Sequence, residues 1–164
     1  MDPAAFKVSD EGFLAQAVEL AVANVAAGGG PFGALIVDTE AGEVISTGVN
    51  RVTHDLDPTA HAEVTAIRHA CRTIGDFSLA GHTLYTSCEP CPLCLSAALW
   101  ARVDRVVFAA NRHDAAEGGF DDRAFYDLFA TPREQWPMPV DGVRVDSSFA
   151  PFAAWQLDAD RTHY

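Results

Sequence analysis

The stretch HTLYTSCEPCPLC, His82 to Cys94, constrains this chain more than any other. Its first half reads as a β-strand. That strand runs directly into a segment holding three of the four cysteines within seven residues. Pro92 stands between Cys91 and Cys94, where proline is suited to open a helix. A strand end and a helix N-terminus therefore meet at the sulfurs. The positive end of a helix dipole favours thiolate, which is the form that binds metal. Three arrangements can hold such thiols together: a disulfide, a closed structural metal, or a metal used for chemistry.

The remainder of the chain supplies a frame for that junction. Apolar residues recur at helical spacing from Phe13 to Val25 and stop at Gly28-Gly29-Gly30-Pro31. FGALIVD (Phe32 to Asp38) and VISTGV (Val44 to Val49) form a hairpin around Gly42. A polar stretch from Asn50 to Thr59 precedes a helix marked by Val64, Ile67, Ala70, Cys71 and Ile74, which ends at Gly75. A helix over Leu95 to Leu99 and a strand at Val103 to Ala110 follow the cysteines. Short helices are expected at Arg123 to Phe129 and from Pro151 to Asp158. This alternation predicts a three-layer α/β/α sandwich with a mixed sheet. At 164 residues the chain suits one domain spanning 1–164.

A formal net charge of −12, with no cluster of lysine and arginine, argues against a phosphate-tracking nucleic-acid partner and an anionic membrane surface. A small uncharged or cationic substrate is the easier match. The opening MDPAAFKVSDEG has no basic and apolar leader pattern, and Gln16, Glu19 and Asn24 interrupt the longest apolar run. A cytoplasmic protein is expected, where thiols stay reduced and a disulfide is disfavoured.

Cys91 and Cys94 give two ligands, whereas zinc takes four, or three and a water. Among six histidines, His61 alone combines a helix N-terminal position with a carboxylate two residues on, Glu63. A neutral imidazole completes a three-ligand set, and Glu63 stands where a base for a metal-bound water belongs. The competing readings are a thioredoxin-like disulfide within Cys88–Cys94 and a closed zinc site with Cys88 as fourth ligand. The disulfide leaves the His61 and Glu63 pair without a purpose, and a closed site has no water for Glu63 to activate. Cys88 and Cys71 read as packing residues. His54, His69, His82 and His163 read as surface residues.

H-x-E upstream of P-C-x-x-C is the zinc nucleobase-deaminase signature. The blocks GGPFGALIV, DPTAHAEVTAIR, LYTSCEPCPLC, WARVDRVVFAA, HDAAEGGFDD and PFAAW make the chain resemble the bacterial guanine deaminases of the cytidine deaminase superfamily. The resemblance implies the cytidine deaminase-like fold, Zn2+ on His61, Cys91 and Cys94, and Glu63 as proton shuttle. It implies Asp114 as a second acid, and substrate contacts from Asn50, Phe32, Ala62, Trp100 and Tyr164. It further implies hydrolysis of guanine to xanthine and ammonia by a homodimer, with residues 147–164 closing over an active site and exchanged between subunits. Read without the family, Asp114 is a helix cap, Asn50 a turn residue, and Phe32 and Trp100 core. Other small rings such as cytosine or ammeline, adenosine in tRNA, and a zinc-stabilised binding module are the rival functions. Residues 123–150 carry no block that aligns.

Overall fold

The computed structural model describes residues 9–164, so most of the expectation about the chain's opening lies outside the described residues. Helix α1 (Asp10–Ala26) starts where the Ser9 side chain accepts from the Gly12 N–H, with Asp10 and Glu11 in its positive first turn. Strands β1 (Gly33–Asp38) and β2 (Val44–Val49) form the expected antiparallel hairpin. A single turn, α2 (Val52–Asp55), lies inside the polar stretch. Helix α3 (Ala62–Ile74) ends on Gly75, whose φ of +72° suits a residue without Cβ. Then come β3 (His82–Cys88), α4 (Pro92–Trp100), β4 (Arg105–Ala110), α5 (Arg112–Glu117) and α6 (Arg123–Ala130).

The strand order is β2-β1-β3-β4, with β1 antiparallel to β2 and β3, and β3 parallel to β4. A parallel pair needs a crossover, and α4 provides it. Alternation along the strands divides the core in two. Ala34, Ile36 and Leu84 pack with Ala62, Ala66, Ala70 and Ala98 of α3 and α4. Leu35, Val37 and Tyr85 pack with Phe13 and Ala17 of α1. Helices therefore cover both faces of a mixed sheet, as the sequence predicts.

The chain divides into two compact units, one up to Asp127 and one over 128–164. The second holds a short 3-10 turn (Arg133–Gln135) and helix α7 (Ala150–Leu157), near the predicted position. Within it the Trp155 ring meets those of His163 and Tyr164, each with centroids 6.2 Å apart. No helix of the described residues is long and apolar enough to cross a membrane.

Helix α3 lies unusually close to β2. A Cβ on Gly48 would come within 2.3 Å of the Ala62 carbonyl and 2.4 Å of the Ala66 nitrogen. Next to that contact, Ser46 Oγ donates to the Ala66 carbonyl at 2.7 Å. The other face is tied at its edge. Tyr85 donates to Asp10 at 2.6 Å, and Arg105 reaches both oxygens of the same carboxylate, at 3.1 and 2.7 Å. Arg105 first, then Tyr85, holds the Asp10 carboxyl below its ordinary range. Burial, then Asp10, pushes the Tyr85 phenol up to about 12.

Two outcomes follow. Gly48→Ala should destabilise the protein by about 1–3 kcal/mol in urea denaturation, because backbone and not a side-chain tip must move. Tyr85 has a higher pKa folded than unfolded, where it is about 10. Its ionisation therefore leaves stability intact below about pH 10 and erodes it as pH rises toward about 12. The stability difference between wild type and Tyr85→Phe should shrink across that interval; a difference independent of pH there would contradict the assignment.

Candidate metal centre and active site

His61 and Cys91 are the N-cap residues of α3 and α4, both with extended backbones and neither capping through its side chain. Pro92 opens α4 and Cys94 follows in its first turn. Because β1 lies between β2 and β3, the helices packed on that face begin side by side. Cys91 Sγ is 3.5 Å from His61 Nδ1, Cys94 Sγ is 3.3 Å from it, and the sulfurs are 3.7 Å apart. Zn–S and Zn–N bonds of about 2.3 and 2.0 Å at a tetrahedral angle separate two sulfurs by about 3.8 Å, and a sulfur and nitrogen by about 3.5 Å. The three donors fit a tetrahedral zinc with one corner left open. They form the metal-capable His/Cys/Asp/Glu group among the described residues.

The electrostatics agree. The Cys91 thiol is held down to about 4, by the Cys94 hydrogen bond first and also by His61. The Cys94 thiol is raised, by Cys91 first and then by burial. The pair thus shares one proton with the charge on Cys91. The Cys91 hydrogen bond first raises the His61 imidazole, against the opposing effect of burial. Cys88 stands apart from this group. It is buried at the end of β3, 4.0 Å from the Asn111 carbonyl, and burial first pushes its thiol up to about 11. It is a neutral packing residue, and no disulfide forms.

Glu63 is buried in the first turn of α3. Burial is the main cause that raises its carboxyl, while a hydrogen bond with Cys94 opposes the shift. The carboxylate is therefore within reach of the donor set. Ala62 is fully buried ahead of it. Asn50 directly follows β2, its N–H donating to the Phe32 carbonyl at 3.1 Å and its Oδ1 accepting from the Val52 N–H at 3.2 Å. Asn24 donates to the Asn50 and Gly30 carbonyls, at 2.9 and 2.8 Å.

The remaining predicted residues have the following surroundings. Phe32 packs edge-on against Phe120, and both line an apolar cavity of about 340 Å³ with Ser87, Cys88 and Asp114. None of the three metal donors lines it. Trp100 ends α4, nine residues after Cys91 and about 13 Å along the axis from it. Tyr164 belongs to the second unit. The Asp114 carboxylate accepts from the Asn111 N–H at 2.8 Å and completes the capping box of α5.

The acid that sequence reasoning passed over is Asp122, at the end of the same GGFDD block. Its Oδ1 is buried and has no hydrogen-bond partner. Burial first, then the charge on Cys91, raises its carboxyl. A signal was present in the sequence: Asn111-x-x-Asp114 has capping-box spacing, which commits Asp114 and leaves the later acid.

Comparison with known proteins agrees with this geometry. Residues 7–110 match the model of the cytidine and deoxycytidylate deaminase zinc-binding region. This chain belongs to that deaminase family. It is 49% identical to the guanine deaminase of Bacillus subtilis (strain 168), over 96% of this chain and 100% of that protein. The X-ray structure of guanine deaminase from Bacillus subtilis superposes with a TM-score of 0.90 at 48% identity, covering 95% of this chain and 99% of that one. A tRNA-specific adenosine deaminase of Haemophilus influenzae is 39% identical over 69% of this chain and 68% of its own length. The deaminase has the four-stranded mixed sheet of its fold family, and zinc is the family's metal.

Removing metal with a chelator should lower the melting temperature, and zinc should restore it. By elemental analysis, Cys91→Ala is expected to lose bound zinc while Cys88→Ser keeps about one ion per chain, since a three-donor site does not need Cys88. Equal loss in both variants would contradict the open site.

Proposed function

We propose that this deaminase hydrolyses guanine to xanthine and ammonia, with zinc on His61, Cys91 and Cys94. The observation that carries hydrolysis is the buried Glu63 carboxylate beside a three-donor set. The choice of guanine rests on the near full-length similarity to a guanine deaminase.

Bound zinc supplies a Lewis acid that lowers the pKa of a water toward about 7. Glu63 takes a proton from the attacking water and delivers it to the ring nitrogen beside C2. Burial raises its carboxyl above the ordinary range, which suits a group that both accepts and releases a proton. The water oxygen bonds to C2, the exocyclic C–N bond breaks, and nitrogen leaves as ammonia. Asp122 supplies the proton for that departure, and the proton lost as the C2 hydroxyl becomes a carbonyl balances it. The buried, unpartnered oxygen of Asp122 supports this role over Asp114, whose carboxylate caps α5. Asn50, Phe32 and Ala62 contact the purine. Trp100 and Tyr164 complete the pocket in a homodimer, with residues 147–164 exchanged and closing the site. The working location is the cytoplasm, which keeps the thiols reduced.

The similarity to tRNA-specific enzymes makes tRNA adenosine the alternative. The net charge of −12 disfavours it.

Ammonia release from guanine, cytosine, ammeline, adenosine and tRNA discriminates these readings. Guanine should be the preferred substrate, and activity confined to tRNA would refute the proposal. Glu63→Gln should retain zinc and lose about 10²–10⁴-fold in kcat. Near-normal turnover in that variant would remove Glu63 from the mechanism.

A further inference from the structure

Residues 117–121, which lead to Asp122, are exposed throughout and include Gly119 at φ +91°. Among residues 121–127 only Asp122 and Tyr126 are shielded from solvent. Phe120 is tied to the preceding helix and to the sheet: its N–H donates to the Ala115 carbonyl at 2.8 Å, and its ring meets Phe32 edge-on. Downstream, the start of α6 is held through Tyr126.

The Tyr126 phenol donates to the carbonyl of Pro90, the residue before Cys91. The Arg112 guanidinium lies 3.6 Å over the Tyr126 ring. Arg112 is forked onto Glu89: Nη2 to Oε1 at 2.6 Å, Nε to the two oxygens at 3.1 and 3.2 Å, and its backbone N–H to Oε2 at 2.8 Å. The Glu89 N–H in turn donates to the Ala110 carbonyl at 2.8 Å, where β3 and β4 end. The cluster therefore joins the segment before Cys91, the first residue of α5 and the first turn of α6. Tyr126 lies four residues after Asp122, one helical turn away.

We propose that Glu89, Arg112 and Tyr126 form a positioning clamp that sets Asp122 against the metal centre. The inference rests on the role assigned to Asp122 above. These residues touch neither substrate nor reacting atoms; they act through Asp122. The half-buried ion pair, with side chains 35% and 16% exposed, and the stacked ring give a fixed geometry. Lysine could not reproduce it, because the fork and the planar stack both require guanidinium.

The test is a double-mutant cycle on the zinc-loaded enzyme, with zinc content and melting temperature read alongside kinetics. Arg112→Met should lower kcat for guanine by roughly tenfold or more, the scale of a misplaced group. KM should stay within about twofold and zinc at about one per chain, since neither substrate contact nor ligand is removed. Tyr126→Phe keeps the ring and removes only the phenol donor, so it should lower kcat in the same sense by a smaller factor. Arg112→Lys should fail to restore the rate. In an Asp122→Asn background both substitutions should have almost no further effect on kcat. The same fold loss in both backgrounds would overturn the proposal, as would zinc loss in step with activity. A wild type inactive on guanine would sink the functional reading itself, and full activity in Asp122→Asn would sink the assignment on which the clamp depends.

Discussion

His61 and Cys91 occupy positions where a short oxygen-bearing side chain ordinarily satisfies an orphan N–H, and neither makes that bond. Each helix gives up a local cap and turns its positive end toward sulfur. Set side by side, the two ends bring nitrogen and sulfur to metal-binding separation, and the Cys94 hydrogen bond first, then His61, holds negative charge on Cys91. The sheet makes this possible. With β1 central, one helix lies over β2 and another bridges β3 to β4, and both begin at the same edge. Glu63 follows directly: second in the first turn of α3 and two residues beyond His61, it is buried yet within reach of the donor group.

Much of this was legible because it is written in short, chemically distinctive residues. The run of Leu84 to Ser87 ending on cysteine, the proline between the sulfurs, and the His61 and Glu63 pair each carry a local physical meaning. The strands alternate well enough to divide the core, and glycine marks where α3 stops. Helix α2 was not legible. Val52 to Asp55 is one turn, shorter than any period that could reveal it, and its N-cap Arg51 makes no side-chain cap bond. Helix α5 was hidden for a related reason: six residues show no apolar stripe, and only the Asn111 and Asp114 pairing defines it.

The two acids of the HDAAEGGFDD block show where composition stops being informative. Asp114 and Asp122 are the same residue type eight positions apart. What separates them is whether a backbone N–H has already claimed the carboxylate. Asp114 has such a partner, while one oxygen of Asp122 is buried without any. Trp100 is a different case. Its place in the motif is clear, but α4 carries it a helix length from the sulfurs within its own chain.

The near contact at Gly48 leaves no slack beneath α3. A helix seated on bare backbone can be neither tilted nor shimmed without moving the imidazole at its mouth. Room for larger or repositioned side chains lies outside that contact, in the exposed stretch after α5. The imidazole thus takes its position from a seat of backbone on backbone, which no exchange of neighbouring side chains can adjust.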